Sequence, residues 1–184
     1  MFVKSALITL TLAALANAAA ADPTAWREMR TGDMRKLAIH DAPLAGSDVS
    51  FLSETGEEMT LAQFEGQHVV LNFWATWCAP CRVEMPHLSA LQEEMGSEDF
   101  SVVTIATGRN PREGMEAFFA EIGVDNLPLH TDPRQELARS LGVLGLPVTL
   151  ILDPEGREIA RLQGEADWSA EAATTLLAEI MAAR

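Results

Sequence analysis

The chain has 184 residues, most simply one domain with some extension, and its 48% hydrophobic and 22% charged content is that of a globular protein. Thirteen basic residues against 27 acidic ones give a formal charge of −14, which argues against a nucleic-acid binder and would be repelled by an anionic membrane surface.

The chain begins MFVKSALITLTLAALANAAAADP: one lysine, an uncharged apolar run from Ser5 to Ala16, then small residues. This three-part design is that of a signal peptide spanning residues 1–21. A run of about a dozen strongly apolar residues is short of the ~20 that a membrane-spanning helix needs, so cleavage is expected over an uncleaved anchor. No cysteine follows the run to carry a lipid. Cleavage would remove Lys4 and no acid, taking the charge from −14 to −15. The mature protein is therefore expected in the periplasm, where thiols are under oxidising pressure.

Residues 22–47 mix charge, Pro and Gly without a sustained period and read as an N-terminal extension; a single domain is expected over 48–184. Asp48 to Leu52 reads as a short strand, followed by a turn over Glu54 to Glu57. Thr60 and Gln63 have the spacing of a capping box at the start of a short helical turn. His68 to Trp74 is an apolar, β-branched run of the kind found in buried central strands. Just beyond it stand the only two cysteines, Cys78 and Cys81. Met85, Leu88, Leu91 and Met95 then recur at helical spacing, so the pair opens a helix of about four turns.

Ser101 to Ala106 reads as a second buried strand, Glu113 to Ile122 as a helix and Leu127 to His130 as a short strand. Arg134 to Leu141 reads as a helix stopped by Gly142. Pro147 to Leu152 is a third strong strand, and the turn Asp153-Pro154-Glu155-Gly156 should return Glu158 to Leu162 as its hairpin partner. Ser169 to Ala183 is a closing helix. Alternating strands and helices followed by a hairpin and a helix give an α/β fold around one central sheet.

The cysteine pair carries the chemistry. At a strand-to-helix junction, Cys78 meets the unpaired amides and positive dipole end that stabilise a thiolate, the reactive form. Cys81, one turn further in, is placed to attack a mixed disulfide at Cys78 and release the partner. Trp77 offers a flat apolar approach. Pro80 costs little in the first turn, whereas Pro86 removes an amide donor inside the helix. Three other uses of two cysteines compete. A disulfide closing so short a loop restricts the unfolded chain very little. A structural zinc needs four ligands, and His87 would supply only a third. Two thiolates do suit Cu(I).

These residues also resemble a known family. The stretches NFWATWCAPCRVEMPHL, GLPVTLILD and GREIARLQGEADW are similar to the exported TlpA/ResA/DsbE-like thiol–disulfide oxidoreductases of the thioredoxin superfamily, above all to bacterial TlpA-type proteins, over residues 34 to 184. The resemblance implies a thioredoxin-like fold, a central mixed sheet flanked by helices, with an inserted helix–strand element from about Pro111 to His130. It implies that Pro147, 66 residues after Cys81, is a cis-proline beside the cysteines and that the Leu146 backbone pairs with the partner chain. Read from the residues alone, Pro147 is only a proline opening a strand.

Thioredoxin has a buried acid six residues before its first cysteine, where this chain has Asn72. Glu84, which matches the glutamate of the family's C-x-x-C-x-x-E-x-P pattern, is then the candidate acceptor of the Cys81 proton. The bland alternative is a solvated helix glutamate. Trp74 reads as core; His40, His68, His87 and His130 read as incidental; Arg109-Asn110-Pro111 reads as part of the site rim.

The expected activity is reduction of disulfides in apo-cytochrome c or in a copper-delivery protein of cytochrome oxidase assembly. Electrons would come from an integral membrane thiol reductase. No cofactor, metal or nucleic acid is expected, and the chain is expected to be a monomer. A Cu(I)-binding assembly factor is the second reading and a thiol peroxidase the third, although the Thr-x-x-Cys setting of such peroxidases is not supplied by Thr76-Trp77-Cys78.

Overall fold

The computed structural model describes residues 22–183; the expected signal peptide lies outside them. Eight strands form one mixed sheet: β1 (Ala38–Leu44), β2 (Phe51–Leu52), β3 (Glu58–Met59), β4 (His68–Trp74), β5 (Phe100–Thr107), β6 (His130–Asp132), β7 (Val148–Leu152) and β8 (Glu158–Gln163). Their order across the sheet is β1-β8-β7-β4-β5-β6-β2-β3. β4 pairs in parallel with β5, and β5 with β6, while β4–β7, β7–β8 and β1–β8 are antiparallel. Among the described residues, five α-helices flank the sheet: α1 (Pro23–Met29), α2 (Ala79–Met95), α3 (Arg112–Ile122), α4 (Glu136–Ser140) and α5 (Glu171–Ala182).

β4 is central and buried along its whole length, as a strand covered on both faces must be. Its period-2 alternation divides the core. Val69, Leu71 and Phe73 face one side with Leu137, Leu141, Val148 and Leu150. Val70 and Trp74 face the other, with Met85, Leu88 and Leu91 of α2, Phe118 and Phe119 of α3, and Leu176, Leu177 and Ile180 of α5. Asn72 falls between Val70 and Trp74 and therefore points under α2.

Residues 22–47 carry α1, a 3₁₀ turn over Gly32–Lys36 and the edge strand β1. Trp26, Met34, Leu37 and Ile39 join the same apolar core as α2 and α5. Asp22 caps α1 by accepting from the Thr24 and Ala25 amides. A segment without periodicity is thus anchored by four scattered large side chains.

The strand expected over Asp48–Leu52 is confined to Phe51–Leu52, and two further boundaries shift for a visible physical reason. The strand expected at Leu127–His130 starts at His130 and runs to Asp132. Pro128 has no amide to give to a ladder, and its carbonyl accepts instead from the Thr104 hydroxyl. The helix expected from Arg134 starts at Glu136, because Asp132 accepts from the amides of Glu136 and Ala138 at 2.9 Å each and so sets where the first turn begins. The hairpin of β7 and β8 turns over Asp153–Gly156 with the expected bond from the Gly156 amide to the Asp153 carbonyl at 2.9 Å.

Candidate active site: a cysteine pair above a buried carboxyl

Leaving β4, the chain turns at once. The Cys78 amide donates to the Ala75 carbonyl at 3.1 Å, and Cys78 becomes the N-cap of α2. Cys78 and Cys81 form a disulfide. The Cys81 amide donates to Cys78 Sγ at 3.3 Å, so the first sulfur already occupies the place of a capping oxygen. Freed from the disulfide, a Cys78 thiolate would sit against that amide at the positive end of a 17-residue helix. Cys81 is fully covered, while Cys78 keeps a small exposed area. Partner chains can thus reach only the first sulfur, and the second is confined to attack from within.

The loop between β4 and α2 is held from the side. The Thr76 amide and hydroxyl both donate to Asn110 Oδ1, at 2.8 and 3.1 Å. Asn110 Nδ2 in turn donates to the Thr107 carbonyl at the end of β5. The Arg109–Pro111 segment therefore does shape the rim, through Asn110. Trp77, between the clamp and Cys78, is 64% exposed.

One turn along α2 from Cys81 lies a buried polar cluster. Glu84 is 1% exposed, which excludes a solvated helix glutamate. Trp168 Nε1 donates to Glu84 Oε1 at 2.6 Å, and Asn72 Nδ2 donates to Oε2 at 3.2 Å and to Thr149 Oγ1 at 2.9 Å. Burial is the largest influence on this carboxyl and outweighs the bonds from Trp168, Asn72 and the Ala166 backbone, which favour the anion; its pKa is pushed up from 4.5 to about 7. Asn72 thus occupies the place of thioredoxin's acid and acts as a donor to an acid presented by the helix. Neither Trp168 nor Thr149 was legible as a site residue, although both lie in the stretches that carry the family resemblance.

The Leu146–Pro147 peptide is cis. β7 starts at the next residue, with Val148 opposite Phe73 and Thr149 opposite Asn72. Because β7 is antiparallel to β4, Pro147 lies at the sheet end from which Cys78 emerges. Leu146 is half-buried beside it, and Leu144 is 93% exposed. The four histidines lie outside this constellation; His87, on α2, pairs with Asp167 and Ser169 at 3.1 Å each. Among the described residues, no group of three or more His, Cys, Asp or Glu side chains is placed to hold a metal ion. A cavity of about 530 Å³ lined by Trp26, His40, His68 and Ile180 lies at the other end of the sheet, where β4 begins and β7 ends.

A mixed sheet that delivers a C-x-x-C pair to a helix start, with a cis-proline opening the neighbouring antiparallel strand, defines a thioredoxin-like protein with a redox-active cysteine pair. The chain belongs to the AhpC/TSA family, whose model matches residues 42–159. It is 32% identical over 133 residues to the thioredoxin-like protein YneN of Bacillus subtilis, covering 72% of this chain and 77% of that one. It is 30% identical over 122 residues to the thiol–disulfide oxidoreductase ResA of the same organism, covering 65% and 67%. Among solved structures, a secreted thiol-disulfide isomerase from Corynebacterium glutamicum superposes with a TM-score of 0.64 at 28% identity, covering 81% of this chain and 96% of that one. With its own disulfide in place, the protein is a thiol–disulfide oxidoreductase of the ResA and DsbE type.

Proposed function

We propose that this protein reduces disulfides of partner proteins in the periplasm, on apo-cytochrome c or a copper-delivery protein, and is recharged by an integral membrane thiol reductase. The observation that carries the reading is the stacked arrangement of an approachable Cys78 at a helix start, a covered Cys81 and a buried carboxyl with a pKa near neutrality. Among the described residues no helix is long and apolar enough to cross a membrane. The periplasmic location is supported by the three-part N-terminal sequence and by a structural relative described as secreted.

In the reaction, the Cys78 thiolate attacks one sulfur of the partner disulfide. The partner's S–S bond breaks, its other sulfur leaves as thiolate and takes a proton, and Cys78 is left in a mixed disulfide. Glu84 as carboxylate takes the proton of the Cys81 thiol. The Cys81 sulfur then attacks Cys78, the bond from Cys78 to the partner breaks, and the electron pair stays on the partner's second sulfur. The partner gains two electrons and this protein ends with the Cys78–Cys81 disulfide. Trp77, Leu146 and Pro147 form the surface that receives the partner, with the Leu146 backbone available to pair with an extended chain.

A Cys81→Ser variant completes only the first step and should retain partners as mixed disulfides at Cys78. Expressed in a periplasm and separated without reductant, it should yield discrete thiol-releasable adducts containing apo-cytochrome c or a copper-delivery protein. Recovery of no thiol-linked protein would overturn the reductase reading, and tight binding of one Cu(I) by a redox-inert wild-type pair would replace it with metal delivery.

A further inference from the structure

Glu84 is held by a residue 84 positions away in the chain. Trp168 is fully buried, and an indole N–H is a donor with no acceptor capacity, so its burial beside a carboxylate oxygen at 2.6 Å sets a direction as well as filling space. Each Glu84 oxygen has its own donor, Oε1 from Trp168 and Oε2 from Asn72, so the carboxyl plane is fixed from both sides.

The segment carrying Trp168 is itself pinned. On one flank, His87 on the next turn of α2 approaches Asp167 Oδ1 and Ser169 Oγ at 3.1 Å each, and Ser169 Oγ donates to Asp167 at 2.6 Å. On the other, the Asp167 amide donates to Asp33 Oδ2 at 3.0 Å and Lys36 Nζ donates to the Glu165 carbonyl at 2.7 Å. Glu165 on this segment is the charged group that acts on Glu84, and His87, Asp167, Asp33 and Lys36 surround the Trp168 backbone, while Cys81 stands one turn before Glu84 on the same helix.

We infer that Trp168 is a positioning residue for the second half of the exchange: its indole N–H, working with the Asn72 amide, orients the Glu84 carboxylate to take the Cys81 proton. The inference rests on the reading of Glu84 as that acceptor. Docking of the segment 165–169 onto α2 and the Gly32–Lys36 turn keeps the indole from swinging away. Removing the N–H leaves the buried carboxylate with one fewer donor, which disfavours the anion and raises the pH at which Glu84 is ionised and able to accept a proton.

The test uses reduced protein and 5,5′-dithiobis(2-nitrobenzoate). Cys78 attack releases one thionitrobenzoate and Cys81 attack on the resulting mixed disulfide releases the second, so the two steps are read in one trace. In Trp168→Phe, the pH at which the second phase reaches half its plateau rate should rise by about one unit, the loss of one charge-assisted bond. The first phase serves as the internal control for folding. Replacing Trp168 with its benzothienyl isostere, which keeps the ring and removes only the N–H, guards against simple loss of packing and should give the same shift. In a Glu84→Gln background, Trp168→Phe should change nothing further. If Glu84→Gln slows the second phase but neither Trp168 variant moves its pH profile, the positioning role is overturned alone. If Glu84→Gln leaves the second phase as in wild type, the acceptor role falls and the positioning role with it.

Discussion

Glu84 should leave a signature in the pH dependence of stability. Its folded-state pKa is about 7 against 4.5 for an ordinary glutamate, so between those values the folded protein holds a proton that the unfolded chain has released. Stability therefore falls as pH rises through this window: the contribution is fully present below pH 4.5 and is lost by the time the pH passes about 7. At 1.36 kcal/mol per pKa unit, the loss is about 3 kcal/mol. Because the side chain is 1% exposed, solvent screening removes little of it. The assay is urea unfolding of the oxidised protein from pH 4 to 8, for wild type and Glu84→Gln. Every other titrating group is common to both, so the difference curve isolates Glu84. It should descend by about 3 kcal/mol across the window and be flat on either side. A glutamine can still accept from Trp168 but sets an amide against that of Asn72, which adds an offset without a slope. Parallel curves would refute the argument, since they would mean that the carboxyl is solvated or its burial fully offset by its three donors.

The rim can be tested separately. Asn110→Ala removes both bonds from Thr76 and should cost about 1–2 kcal/mol in urea unfolding, with faster hydrogen exchange at the Thr76 amide. Unchanged exchange there would show that the β4–α2 turn holds itself. Trp77→Ala exposes little new surface and should alter stability by no more than about 0.5 kcal/mol. It should slow exchange with protein disulfides while leaving the reaction with a small aromatic disulfide near wild type. Equal slowing of both would place Trp77 in the chemistry of Cys78 and not in partner docking.

How much was legible varies by element, for physical reasons. β4, β5 and β7 are buried on both faces and so appear as mostly apolar, β-branched runs, and α2 carries Met85, Leu88 and Leu91 on one stripe. The helix–strand element after β5 was visible as a helix, but its strand lies two to three residues later than periodicity suggests. Pro128 breaks the ladder, and Asp132 is spent on capping α4. Residues 22–47 have no period to read because Trp26, Met34 and Ile39 belong to three short elements with different geometry and Leu37 to the link between two of them, each giving one side chain to a shared core.

The sequence located the chemistry at one cysteine pair. A cysteine pair between an apolar strand and a helix can only place one sulfur at the helix start and the other a turn below, because that spacing is local and the α-helix repeats every 3.6 residues. It also marked Glu84 by position, and Asn72 as something other than an acid. What the tertiary structure alone decided is the state of Glu84. Whether that carboxyl is a solvated surface group or a buried base with a pKa near 7 depends on what covers α2. The cover comes from Asn72 on β4, Thr149 on β7 and Trp168 near the C-terminus. Desolvation is a sum over neighbours distant in the chain, and no local pattern around Glu84 encodes it.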